Sequence, residues 1–189
     1  MQTVSFTSMA EGTKEDYDIL AGHEERFADE LPDRLLAAVV QLKESVTGYR
    51  VSRYEHSLQG ATRALRDGRD EEYVVGTLLH DIGDTLAPYT HSETVAAILK
   101  PFVRPEVAWI VGHHGAFQLF YYGHHRGLDR NARDAWRDHE RYEGCREFCE
   151  KYDQNCFDPD YESLPLSFFE PLIHRIFGRE VSVDGTIGD

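Results

Sequence analysis

Long apolar runs are absent from these 189 residues. No stretch approaches the roughly 20 consecutive apolar residues that a membrane-crossing helix needs. The polar N-terminus also lacks a signal-peptide pattern, so a cytoplasmic protein is expected, with no membrane partner. Positive charge is scarce as well. Twenty Lys and Arg stand against 34 Asp and Glu, a formal net charge of -14. Such a surface repels a phosphate backbone and argues against a nucleic-acid partner. Cysteine is limited to Cys145, Cys149 and Cys156, an odd number that suggests no disulfide framework. Cys145 and Cys149, one helical turn apart, are expected as reduced, partly buried thiols. Clean two-residue alternation is missing, as is any internal repeat, so the chain reads as all-α. Its 41% hydrophobic and 29% charged content is that of a soluble domain long enough to bury a core without staples.

Helical spacing then supplies the elements. Residues 1–30 read as an N-terminal arm, extended or in a short helix over its first two-thirds, followed by a helical domain over 31–178 and a poorly ordered tail at 179–189. The first convincing helix runs from Asp33 to Val46 with Leu35, Leu36, Val39, Val40 and Leu42 on one face. Tyr54, Leu58, Ala61 and Leu65 repeat at helical spacing in the second, which Gly68 ends. Asp70 is the expected N-cap of a third helix carrying Tyr73 to Asp81. Thr90 and Glu93 have the form of a capping box that places His91 in the first turn of a fourth. A fifth starts near Pro105 and carries His113 and His114 at its C-terminal end. Residues 115–128, aromatic and glycine-rich, read as a loop over a site. A long helical pattern is expected from Asp129 to about Asn155, continuous or broken at Gly144, and a last helix over Leu166–Phe177, kinked or split at Pro171.

The chain is organised around Leu78-Leu79-His80-Asp81-Ile82. An apolar run carries two ionisable groups into the interior, which is costly unless something pairs with them. The pair satisfies itself by hydrogen bonding at a helix end, or it binds a metal cation, and its mixed N and O donors suit zinc, iron or manganese. Further ligand-type residues are His56, His91, His113, His114 and Asp153. Asp153 follows Cys149 and Cys145 by one and two helical turns, an apolar face on which a carboxylate needs a partner.

The order His56, His80-Asp81, Asp153 resembles that of the HD-domain superfamily, helical metal-binding proteins usually described as phosphohydrolases. The resemblance covers roughly residues 50–158. The strings Glu55-His56-Ser57-Leu58-Gln59 and Leu79-His80-Asp81-Ile82-Gly83, with His91, Gly112-His113 and Tyr152-Asp153, are similar to one branch: the mixed-valent diiron oxygenases that cleave carbon–phosphorus bonds, relatives of myo-inositol oxygenase. That resemblance implies an HD-domain helical bundle with two iron ions, Fe(II)/Fe(III), and O2 as co-substrate. Iron one would take His56, His80, Asp81 and Asp153. Iron two would take Asp81 as a bridge, His91, and His113 or His114. The implied reaction oxidises a 1-hydroxyphosphonate to a carboxylate and phosphate. A metal-dependent phosphohydrolase acting on a small phosphate ester is the alternative, and a non-catalytic module that binds a phosphorylated ligand is a third.

Where amine-cleaving relatives have a further histidine this chain has Asp84, and Val46 and Tyr49 stand where they have a tyrosine and a glutamate. These departures put the same amine substrate in doubt, not the metal site. The resemblance implies instead a quaternary ammonium substrate, (R)-1-hydroxy-2-(trimethylamino)ethylphosphonate, which would yield glycine betaine. Such a cation is suited to a charged or aromatic surround, for which Asp84 and the Phe120-Tyr121-Tyr122 stretch, Tyr121 in particular, are the candidates, although core packing equally accounts for the aromatics. Arg126, Arg130, Arg133, Arg137 and Arg141 would line one face of a helix. They form either a solvated stripe paired with Asp129, Asp134 and Asp138, or a phosphonate site built on one or two of the first three.

Overall fold

A computed structural model describes residues 2–179 and 181 of the protein; the expected tail lies otherwise outside the described residues. The arm is largely helical. Helix α1, Lys14–Asp29, starts at a reciprocal capping box between Thr13 and Asp16, and Asp16 also accepts a hydrogen bond from the Ser5 amide at 2.8 Å. Apolar periodicity missed this helix because it buries only Asp16. Helix α2 spans Leu31–Gln41. Helix α3, Arg53–Arg66, begins at a Ser52/Glu55 capping box. Helix α4, Glu71–Leu79, has Asp70 as its N-cap, as predicted, accepting from the Tyr73 amide. Helix α5 spans His91–Leu99, α6 Pro105–Tyr122, α7 Tyr142–Phe148 and α8 Leu166–Phe177. The described residues contain no strand, so the all-α expectation holds.

Four local expectations are corrected. Thr90 makes no side-chain cap to α5. Helix α6 does not stop at His113-His114 but continues to Tyr122. Its glycines serve close packing instead: a Cβ on Gly115 would sit 2.9 Å from Ser92 Oγ of α5. Residues 129–155 are not one helix. A 3-10 turn over Gly123–Arg126 ends at Gly127, whose φ of 69° is left-handed, and a second over Ala132–Trp136 precedes α7. Pro171 lies inside α8 without splitting it, because Phe169, Leu172, Ile173, Ile176 and Phe177 are buried on both sides of it. The three cysteines are free, and they are fully rather than partly buried.

Helix α4 forms the centre. Every residue from Tyr73 to Leu79 is buried, and an element buried all round has no polar face to show. It is flanked by α3 and α6. Between Phe148 and Asp153 the last helix turn widens into a π-helical turn, Cys149–Asp153, which packs on α3. Glycine makes that approach feasible: a Cβ on Gly60 would collide with the Tyr152 carbonyl oxygen, and one on Gly76 would lie 2.6 Å from Val107 Cγ1. Among the described residues no helix is long and apolar enough to cross a membrane.

Gly60→Ala should therefore destabilise the protein by about 1–3 kcal/mol through overpacking against backbone. Gly22→Ala on α1, where the new Cβ meets only Arg26 Nη1 at 3.6 Å, should be neutral or gain about 0.5–1 kcal/mol. Urea midpoints of the two variants measure the contrast.

Candidate metal centre

Five elements deliver six side chains to one point. His56 sits in the first turn of α3, its amide bonded to the Ser52 carbonyl. His80 caps the C-terminus of α4, and Asp81 follows with φ -105° and ψ 1°, a bridge-region conformation common at functional sites. His91 opens α5, and His114 lies within α6. Asp153 ends the π-helical turn, an irregularity that is itself frequent at functional sites. All but His91 are buried.

The six form two groups that share Asp81. His56 Nε2 lies 3.2 Å from His80 Nε2, 3.4 Å from Asp81 Oδ2 and 3.3 Å from Asp153 Oδ1. His80 Nε2 is 3.3 Å from the same Asp81 oxygen. The other Asp81 oxygen, Oδ1, faces His91 Nε2 at 3.7 Å and His114 Nε2 at 3.5 Å, and those two nitrogens are 3.3 Å apart. One carboxylate thus turns one oxygen to each group.

The outward ring nitrogens fix what the inward ones can do. His56 Nδ1 meets the Cys156 carbonyl at 3.1 Å, His80 Nδ1 the Thr77 carbonyl at 2.7 Å, and His114 Nδ1 the Val111 carbonyl at 2.6 Å. A carbonyl only accepts, so each Nδ1 carries a proton, and in the neutral ring the inward Nε2 is then the lone-pair atom. Two such lone pairs facing one another at about 3 Å repel unless a cation lies between them. Asp81 Oδ2 and Asp153 Oδ2 are buried and accept no hydrogen bond; Asp153 Oδ2 is open to a cation, and Asp81 Oδ2 faces only the Arg53 guanidinium and the His56 and His80 rings. The donor set fits a pair of metal ions, with imidazole and carboxylate ligands oriented by backbone carbonyls.

Without metal, a proton takes part of that role. Burial alone would lower the His80 pKa, but the Asp81 and Asp153 carboxylates outweigh it and push the group up to about 9. Burial likewise works against the ionised carboxylates. His80, Arg53, His114 and His56 nonetheless hold Asp81 well below the usual carboxylate range, and His56 and His80 do the same for Asp153.

Of the seven metal-ligand candidates, six meet here and His113 does not. Its Nδ1 bonds to the Trp109 carbonyl at 2.8 Å and its ring stacks on Trp109 at 4.0 Å, facing an apolar groove of about 870 Å³ between α5 and α6. His114 stands where either was expected. A second cavity, of about 280 Å³, opens directly onto Asp81, His91, His114 and Asp153.

The substrate-binding candidates fare differently. Tyr121 lines this cavity. Asp84 does not; it lies behind the wall, 3.3 Å from Arg53 Nε and 3.6 Å from His91 Nδ1. The arginine row does not share one helical face because its chain segment is not one helix. Arg130 and Arg133 lie over the Phe120 ring and Arg126 over Tyr122, outside the cavity wall, while Arg137 pairs with Asp134. Phe157, Gln118 and Arg53 were missed. Phe157 stacks on His56 and Tyr49 at 4.5 and 4.7 Å. Arg53 carried a legible signal, since a cation at the first position of a helix opposes the macrodipole and needs a reason to be there.

His114→Ala should lower the bound metal while His113→Ala leaves it unchanged, as metal analysis of the purified variants would read. The His80 shift has a sign as well. A raised pKa stabilises the metal-free fold fully below the unfolded value of 6.5, and the gain is lost as pH rises through about 9. That interval corresponds to about 3 kcal/mol at 1.36 kcal/mol per pH unit. Chelator-treated protein should therefore weaken between pH 6.5 and 9 in denaturant titrations, and metal-loaded protein should not.

Comparison with known proteins agrees with this geometry. The match to a curated [1-hydroxy-2-(trimethylamino)ethyl]phosphonate dioxygenase (glycine-betaine-forming) from Leisingera caerulea is 39% identical over 89 residues. It covers 41% of this chain and 45% of that relative, less than half of each. Residues 53–142 match the HD domain family, and that span holds five of the six clustered side chains, with Asp153 beyond it. The protein carries an HD domain.

Proposed function

We propose that this protein is a dinuclear iron oxygenase that cleaves the carbon–phosphorus bond of a 1-hydroxyphosphonate. The preferred substrate is (R)-1-hydroxy-2-(trimethylamino)ethylphosphonate, which with O2 yields glycine betaine and phosphate. The observation that carries the proposal is Asp81, one oxygen 3.3 Å from His80 and the other 3.5 Å from His114. A hydrolase that uses one ion needs only the first group. The similarity to a phosphonate dioxygenase supports the same choice.

His56, His80, Asp81 and Asp153 would hold one iron, and Asp81, His91 and His114 the other. The mixed-valent pair, when bound, supplies the oxygen and one-electron chemistry that side chains lack. The reaction balances without an external reductant: the C1–H and C–P bonds break, both O2 atoms enter the products, and one proton is released with the carboxylate and hydrogen phosphate. The protein's own residues do the rest. The backbone carbonyls on Nδ1 keep the His56, His80 and His114 rings aimed with Nε2 inward. Tyr49, Tyr121, Tyr122 and Phe157 give the cavity an aromatic wall that limits water, and Tyr121 and Tyr122 offer ring faces to a quaternary ammonium, which has no N–H to donate.

Oxygen uptake and phosphate release should run one to one with the trimethylated substrate. They should favour it over the unmethylated compound by roughly 2- to 30-fold in kcat/KM, the range of one good cation–π contact. Equal values would remove the ammonium specificity. Phosphate released from simple esters with no oxygen consumed would replace the oxygenase by a hydrolase.

A further inference from the structure

The cavity on the candidate centre has one guanidinium or ammonium group in its wall among the described residues, and it is Arg53. The arginines expected to receive an anion stack outward on Phe120 and Tyr122. Arg53 is set differently. Its side chain is 18% exposed and points inward from the start of α3, with Nη1 3.0 Å from Asp81 Oδ2 and Nε 3.3 Å from Asp84 Oδ2. Its guanidinium carbon lies 5.1 Å from the Tyr49 ring centre.

Charge decides what this group is for. Arg53 faces two carboxylates, Asp81 and Asp84. Cations bound to Asp81 would claim the oxygen that Arg53 now faces, leaving Asp84 as its remaining carboxylate. Asp84 is nearly buried, with a side chain 7% exposed, and sits behind Arg53 rather than in the cavity wall. It can hold the guanidinium in place but cannot use up its five donors, whose fork matches a tetrahedral oxyanion.

We propose that Arg53, held from behind by Asp84, is the anion anchor of the cavity. It receives the phosphonate beside Asp81 and leaves the Tyr121 and Tyr122 side of the cavity to the substrate's other end. A cationic tail and Arg53 repel one another, so the same residue fixes the orientation of a zwitterion. This assignment rests on the phosphonate reading above.

The test uses the metal-loaded protein, with inorganic phosphate as the probe in anaerobic calorimetry and metal analysis on each variant. Arg53→Gln should keep its metal and bind phosphate about 30-fold more weakly, the lower end for losing one partner of a desolvated charge pair. Arg53→Lys, which keeps the charge and loses the fork, should fall between, and Asp84→Asn should weaken binding by a smaller factor. The KM for the hydroxyphosphonate should rise more than kcat falls, and Arg133→Gln should change neither. An unaltered phosphate Kd in Arg53→Gln with full metal content would overturn the proposal. So would loss of metal in both Arg53 variants, which would make Arg53 only a counter-charge to Asp81. If the glutamine variant does not fold, the lysine variant decides, since a bidentate anchor cannot survive that exchange with its Kd unchanged. Oxygen uptake tests the reaction and the phosphate isotherm tests the anchor, so the two fail separately.

Discussion

One buried carboxylate, Asp81, governs the middle of this protein. Four histidines and one arginine surround it, His56 and His80 on one oxygen, His91 and His114 on the other, with Arg53 at 3.0 Å. An ionised carboxylate in a dry interior is tolerated only where cations or donors compensate it. The elements that bring those partners are therefore placed by it: α3 with His56 and Arg53, the end of α4 with His80, α5 with His91 and α6 with His114. Close packing makes the convergence feasible. Gly60 lets α3 reach the π-helical turn, and Gly83 lets the chain after Asp81 pass the backbone of His91, to which its own Cβ would come within 2.7 Å.

Much of this was legible because it is local. A His-Asp pair inside an apolar run, an Asp70 cap and a glycine at Gly68 each depend on a few neighbouring residues, and α4 and its flanks follow the sequence pattern closely. His113 and His114 could not be separated that way. One position turns a helical side chain by about 100°, and the phase is set by contacts with Trp109 and with Asp81 that lie outside the motif. The arginine row failed for a related reason. Helical spacing has meaning only if the segment is one helix, and Gly127 with its left-handed φ of 69° makes it several short turns.

The aromatic residues show how the same side chains serve packing and site. Phe157 presses on His56 from one side while the Cys156 carbonyl holds the ring from its edge. The imidazole is thus clamped in direction as well as in tautomer. Hydrogen-bond partners of this kind, when lost, commonly cost about 10- to 100-fold in metal affinity or activity.

The contact between His56 and the Cys156 carbonyl joins points 100 positions apart in the chain. A cation shared by His56 and Asp153 would close a loop of nearly that length. A covalent link across about 100 residues restricts the unfolded ensemble by about 4.7 kcal/mol in the chain-entropy model, and a coordination bond works in the same sense while it lasts. Metal loss would then reopen the circuit between the two halves of the domain. Starvation for metal would show in the lifetime of the folded chain under proteolysis as well as in turnover.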